Sequence, residues 1–460
     1  MVCSTVRGMS AAVVREAVED TALPDLPDLP AAAAEGASGA AADDVTVRLD
    51  EVLDWLHSLV SARGVDQGLV SDAARIDRIA VCERLQAGLE AVKAVEMVAF
   101  AQSQTVEQLR LGVHPRQVGA GVADQIALAG KVSPAEGSRR LHTARDLVLD
   151  MPHTLDLLAT GEIGGWTARL IVGQCSHLDR PTRTRLDGEL AGRELGSMSA
   201  RQAENTAKRL AYEADPVAAV ERARKARKDR RVTLRPAPDT MSLLTGLLPV
   251  EQGVACLAAL QDAVRQAKAA GDVRSRGQIM ADTMVARLTG QEAAEDTGFE
   301  VGIVMPLGSL LDPNDHTPAE IIGHGLFPAD LIRDLIANAE ARCWWRRLFT
   351  RPTRDGGRLI VDGDHRRRRF TGWLAELIRW RDQTCRDPFC GAPIRHLDHI
   401  HRHADGGLST GENGRGVCER GNYVRELPGW TVRVVDPDSH TVEITTPTGH
   451  HYRSRPPQPP

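Results

Sequence analysis

Apolar residues along much of this chain recur in steps of three and four, the spacing of helices that bury one face. Leu85, Leu89, Val92, Val95 and Ala99 form one such stripe. The same period predicts helices over residues 133–149, 167–175, 200–212, 254–269 and 278–288. The first of these opens on a start signal. Ser133 can cap the free backbone N–H groups, and Pro134, which has no N–H, suits the first helical position. Alternation replaces the helical period at residues 231–235 and 299–305, each followed by proline, and predicts two strands. The expected architecture from residue 45 to about 349 is therefore a mainly α domain with few strands. Residues 1–44, rich in Ala, Pro, Asp and Gly, bury little and read as a disordered leader.

The pattern changes after Pro328. A helix is expected to about residue 349, with Trp344 and Trp345 read as core rather than as a stacking surface for bases. Residues 350–376 read as a basic connector carrying a short strand at 358–361, a turn at Asp362-Gly363 and four arginines from Arg366 to Arg369. An amphipathic helix over 371–383 leads into a small module at 377–435. Residues 431–449 alternate like a hairpin turning near 436–439, and a Pro-rich tail ends the chain.

Charge sharpens this division. The net charge of −5 conceals a basic end: residues 341–460 hold 21 Arg and no Lys against 14 Asp and Glu. An Arg-only basic segment favours a polyanionic partner, because guanidinium pairs with phosphate through two hydrogen bonds. The basic run at 221–231 reads instead as a solvated helix or linker. Of eight cysteines, Cys3, Cys82, Cys175, Cys256 and Cys343 are scattered, and most read as reduced, buried thiols. No apolar run approaches a membrane span, and no charged start with an apolar core opens the chain. A cytoplasmic protein without membrane contact is expected.

Residues 385–430 concentrate the candidate chemistry, with three cysteines, four histidines and two asparagines. Asp398 stands beside His399, a carboxylate next to an imidazole, which together can hold a hard cation and supply a general base. Both would close the first strand of a hairpin. Ala404–Gly407 would supply the turn, since glycine tolerates positive φ. The segment from Thr410 would enter a helix bearing Asn422, nine residues after Asn413, so that strand end and helix converge on one cation.

On these residues the run resembles the HNH endonuclease domain. The chain as a whole is similar to actinobacterial proteins that join this domain to a helical domain of unknown function, DUF222 (the 13E12 repeat family). Matching stretches include ADPVAAVERARKARKDRRVTLRPAPDTMSLLTGLLPVEQG, IIGHGLFPADLIRDLI and RDQTCRDPFCGAPIRHLDHIHRHADGG. The resemblance implies a small C-terminal ββα-metal (HNH) fold with His399 as general base and Asp398 as a ligand of Mg²⁺ or a similar divalent cation. It implies that Asn413 orients the loop carrying the base or approaches the metal. Asn422 falls at the last motif position, where many members have His, and would be a second metal ligand.

The same resemblance implies a structural Zn²⁺ held by two cysteine pairs. Here Cys385, Cys390 and Cys418 supply three thiolates, and Gly421 stands where the fourth cysteine commonly falls. His396, His401, His403 or water would have to complete the shell, or the hairpin is held without zinc by Trp380, Ile394, Ile400, Tyr423 and Trp430. On a strand His399, His401 and His403 would share a face; His401, Arg402 and Arg415 are candidate nucleic-acid contacts, and His403 reads rather as an exposed turn. The leading expectation is a metal-dependent endonuclease hydrolysing DNA phosphodiester bonds, with a homodimer possible for cutting two strands. The alternative is a DNA-binding protein whose HNH module has lost turnover.

Overall fold

The computed structural model describes residues 40–61, 71–290, 303–321, 325–338, 350–354, 358–360 and 370–458. Eleven helices precede residue 290 among these: α1 (Ala40–Ser61), α2 (Asp72–Arg110), α3 (Val122–Ala129), α4 (Pro134–Asp150), α5 (Pro152–Thr160), α6 (Gly165–Cys175), α7 (Arg180–Ala191), α8 (Ala200–Ala214), α9 (Pro216–Lys228), α10 (Val250–Ala269) and α11 (Arg276–Thr289). The antiparallel hairpin β1 (Arg231–Pro236) and β2 (Ser242–Leu247) interrupts them. Next come β3 (Ile303–Val304), α12 (Leu307–Leu311), β4 (Ala319–Ile321), β5 (Gly325–Phe327), α13 (Ala329–Asn338), β6 (Thr350–Pro352) and β7 (Arg358–Ile360). The mainly helical expectation holds, and no described helix is long and apolar enough to cross a membrane.

Local sequence explains the helix starts. Ser133 accepts a hydrogen bond from the Glu136 amide with Pro134 at the first position, and Ser199 and Ser275 each close a reciprocal capping box with a glutamine three residues on. The main core lies among α2 and α4 to α8, built around Met151, Ile171, Leu186 and Leu190. Here one expectation is corrected. Leu85, Leu89, Val92 and Val95 remain 40% or more exposed, and α2 buries Ala87, Ala91, Ala94, Val98 and Ala101 instead. Small side chains let α4 and α5 approach the α2 backbone closely, so packing selects the alanine face over the bulkier one. Similarly, Cys82 and Cys256 are exposed, while Cys175 is buried as expected. The basic run at 221–231 lies mostly in α9, a helix with no buried residue.

The C-terminal module begins with α14 (Trp373–Asp382) and continues through β8 (His396–His399), β9 (Gly414–Val417) and α15 (Glu419–Val424). It ends in an antiparallel sheet of β10 (Thr431–Asp436), β11 (Thr441–Thr445) and β12 (His451–Ser454). The strand β12 corrects the reading of the chain end as tail, since Arg453 and Ser454 pair with Glu443 and Val442. Residues 1–39 of the leader, Trp344-Trp345 and connector residues 355–357 and 361–369 lie outside the described residues, while Ala40–Asp44, expected in the disordered leader, already belong to α1.

This module packs against α3 and α4. Leu128 joins Trp430 and Ile444 in a shared apolar cluster, with Leu427 and Val432 alongside. Arg420 on α15 grips both carboxylate oxygens of Asp124 at 2.7 and 2.8 Å and donates to Ser138 Oγ at 2.7 Å. Gly121, at φ +79°, allows this approach, because a Cβ there would lie 3.0 Å from Leu427 and from Trp430.

Candidate functional site

Strands β8 and β9 run antiparallel with Asp398 opposite Arg415 and His399 opposite Gly414. Glycine at 414 is required by packing: a Cβ would come within 2.4 Å of Ile378 Cδ1 and 2.8 Å of the Phe370 ring. Helix α14 thereby lies close under the hairpin, and its Arg381 donates to the carbonyls of Gly411 and Gly414. Asp382, fully buried, accepts from the Gly416 amide at 2.6 Å. A charged helix end thus fixes both the loop and the second strand.

His399 sits at the end of β8. Its Nε2 lies 2.8 Å from Ser409 Oγ, and its ring packs on Phe370 at 4.4 Å between centroids and edge-on to His403 at 5.5 Å. Burial, helped by the nearby His403 and Arg425, pulls the imidazole pKa below its ordinary value against the opposing pull of Asp398. The ring is therefore neutral near pH 7, the form a general base needs.

Asn413 clamps the loop between the strands. Its Oδ1 accepts from the His401 amide at 2.7 Å, and its Nδ2 donates to the carbonyls of His401 and Leu408 at 2.9 and 2.8 Å. Of the two roles open to Asn413, these bonds match orientation of the loop. The turn itself is a 3₁₀ segment, His403–Asp405, closed by Gly406 at φ +94°, so the strand ends before His401 and no three-histidine row forms along it.

Asp398 is held more tightly than a free metal ligand would be. Its Oδ2 accepts from Arg415 Nε and Nη2, both at 3.2 Å, and from Arg425 Nη1. No hydrogen bond from a described residue reaches its Oδ1. Arg425 also donates to the His399 and Ile400 carbonyls, tying α15 to the end of β8. Asn422 lies half-buried on α15, and among the described residues its side chain makes no hydrogen bond.

Arg415 does not reach solvent. It is fully buried, pairing with Asp387 at 2.8 Å as well as with Asp398, so the expectation of a phosphate contact there is replaced by a structural ion-pair network. Although burial opposes it, the Asp387 and Asp398 carboxylates raise the Arg415 pKa and keep the guanidinium charged. His401 and Arg402 are exposed, and Arg402 pairs with Glu426 at 3.0 Å.

The three clustered cysteines do meet. Cys385, Cys390 and Cys418 place their sulfurs within 4.8 Å of one another, with Cys390 and Cys418 3.8 Å apart. Tetrahedral Zn²⁺ with Zn–S bonds of about 2.3 Å separates its sulfurs by about 3.8 Å, so the triangle fits three corners of such a shell. The Cys385 and Cys390 thiols and the Gly421 amide point at Cys418 and pull its pKa below the ordinary thiol value. None of His396, His401 or His403 joins the group. Of the residues expected to hold the hairpin, Ile400 and Trp430 are buried and Trp380 and Ile394 half-buried, but Tyr423 is 62% exposed.

Comparison with known proteins concerns mostly the helical part. A family model described as a domain of unknown function (DUF222) matches residues 79–382. The chain belongs to the DUF222 family. Two proteins of Mycobacterium tuberculosis, both named as uncharacterized and from strains CDC 1551 / Oshkosh and ATCC 25618 / H37Rv, are each 31% identical over 148 residues. Those alignments cover 31% of this chain and 24% of each relative, so the chain spans about a quarter of their length. No solved structure matches. The DUF222 match ends with α14, and the cluster from Cys385 to Arg425 lies beyond it.

Sequence reasoning did not single out Ser409, Arg425, Phe370 or Asp387. Asp387 sits between two of the cysteines, and Arg425 follows Asn422 by one helical turn, a visible signal. Ser409 and Phe370 reach His399 only through loop geometry, which no spacing rule reveals.

Proposed function

We propose that the C-terminal module is an HNH-type endonuclease hydrolysing DNA phosphodiester bonds, with His399 as general base. The observation that carries this reading is the seating of His399. A neutral imidazole stands at a strand end, positioned by Ser409 and Phe370, next to a loop that Asn413 clamps from both sides. His399 would take the proton of the water that attacks phosphorus, and Asn413 would keep the loop from shifting as charge develops. A divalent cation such as Mg²⁺, held through Asp398 and Asn422, would neutralise the scissile phosphate and the leaving 3′ oxygen. His401 and Arg402, exposed just past the base along the chain, would meet the DNA backbone.

Incubating purified protein with supercoiled plasmid and Mg²⁺ or Mn²⁺ tests this. Nicking is expected, with a fall of about 100-fold or more for His399→Ala. Activity should persist below the ordinary histidine pKa and disappear on acidification through the lowered value of His399. A wild type that nicks nothing with either metal, or a His399→Ala variant as fast as wild type, sinks the catalytic reading.

The second reading, a DNA-binding module without turnover, is favoured by the environment of Asp398. Two guanidiniums on its Oδ2 partly neutralise the only carboxylate offered to the cation. Tight, salt-dependent plasmid binding without nicking would select it.

A further inference from the structure

Gly421 stands beside the cysteine triangle, its amide donating to the Cys418 sulfur at 3.3 Å, and the space next to its Cα is not empty. A Cβ built on Gly421 would lie 1.8 Å from Asp387 Oδ2, the length of a carbon–sulfur bond. The carboxylate oxygen therefore fills the space into which a side chain at 421 would grow. Any side chain at 421 would collide with Asp387, so glycine and aspartate at these two positions go together.

Asp387 is also presented by the cysteine loop itself. The Cys390 amide donates to the Asp387 carbonyl at 3.2 Å, and the Cys385 amide to the Ala392 carbonyl at 2.8 Å, which folds residues 385–392 into a compact turn. Arg415 Nη1 binds Asp387 Oδ1 at 2.8 Å. The oxygen left over is Oδ2, the one next to Gly421. Carboxylate oxygen is an accepted Zn²⁺ ligand at about 2.0–2.2 Å, and three thiolates with one carboxylate make a four-coordinate shell.

We propose that Asp387 is the fourth ligand of a zinc-class cation held by Cys385, Cys390 and Cys418, and that Gly421 leaves room for it. The Asp387 oxygens do not lie within 4.8 Å of all three sulfurs, so coordination takes a turn of this side chain toward the triangle. Arg415, anchored independently by Asp398, keeps hold of the other oxygen and orients the ligand as outer partners of metal sites do. The assignment concerns the metal staple and does not depend on the nuclease reading.

The test is Co²⁺ titration of the full reduced chain by visible absorption, with Zn²⁺ affinity measured by chelator competition. Wild type should bind one tetrahedral Co²⁺ with the charge-transfer intensity of three thiolates. Asp387→Asn preserves shape and the hydrogen bond from Arg415 but removes the anionic oxygen, and should weaken Zn²⁺ binding about tenfold or more. The pair Asp387→Ala with Gly421→Cys should regain affinity and raise the charge-transfer intensity by about a third, as four thiolates replace three. A role limited to holding Arg415 would leave Asp387→Asn unchanged and would not be rescued by sulfur at 421. Wild type that binds no metal, Asp387→Asn within about twofold of wild type, or a double variant without a fourth thiolate signal would each overturn the assignment.

Discussion

Acid should release the hairpin that supports the candidate site, and His440 is the trigger. This residue, at the turn between β10 and β11, is 1% exposed, and its Nε2 lies 2.9 Å from the Glu412 carbonyl, next to Asn413. Its Nδ1 is buried without a partner among the described residues. Burial, with help from Arg381, lowers the pKa from 6.5 to about 3. The unfolded chain takes up this proton below about pH 6.5 and the folded chain does not until about pH 3, so stability falls with pH across that window. Each pH unit costs about 1.4 kcal/mol, giving a loss of about 2–3 kcal/mol by about pH 4.5. His440→Gln keeps a donor for Glu412 and removes the titration. At about pH 7.5 its stability should lie within about 1 kcal/mol of wild type. At about pH 4.5 it should exceed wild type by about 2–3 kcal/mol. Urea unfolding at both pH values, with hydrogen exchange at the β9 amides to localise the effect, measures the difference. Parallel loss of stability in the two proteins would refute the reasoning.

Three further outcomes can be measured on the same material. Asn413→Ala removes three hydrogen bonds that fix the His399 loop, and should cost about 1–3 kcal/mol by urea unfolding while lowering any nicking rate at least tenfold. Gly414→Ala forces a methyl into the Phe370–Ile378 contact and should cost about 1–3 kcal/mol, with a changed His399 ring signal by NMR. Arg420→Ala and Asp124→Ala remove the bidentate bridge between α15 and α3. A double-mutant cycle should give coupling of about 1–3 kcal/mol, and additivity would mean that apolar contacts alone hold the module.

What the sequence disclosed follows from what local patterns encode. Helices with capping serines, such as those after Ser133, Ser199 and Ser275, are written in short segments and were legible. Which face of α2 goes inward was not, because the Leu85–Val95 stripe and the alanine stripe are both apolar, and the choice depends on how closely α4 and α5 approach. The strand at 231–235 was visible, but β2 with its glycine and exposed leucines was found only through its partner. At the candidate site the spacing of Cys385, Cys390 and Cys418 marked a cluster that does assemble. The inward turn of Arg415 was hidden, since a buried arginine is made acceptable only by Asp387 and Asp398 arriving from distant positions.

That buried network links the two metal questions in the C-terminal module. Arg415 touches Asp387, beside the cysteine triangle, and Asp398, beside His399, with no exposed surface of its own. An ion at the cysteines that drew on Asp387 would draw negative charge away from Arg415, and Arg415 would then lean harder on Asp398. Loading the cysteine site should therefore change how freely Asp398 can hold a second cation. The sign follows from the shared guanidinium: the thiols lose protons as zinc binds, so the cysteine site gains little net positive charge, and the effect on the second cation runs through Arg415 pairing more closely with Asp398. Mn²⁺ binding measured by electron paramagnetic resonance, with and without Zn²⁺ at the cysteines, checks this. Weaker Mn²⁺ binding in the zinc-loaded protein is expected, and Mn²⁺ affinity that is equal or greater would mean that Arg415 insulates the two sites.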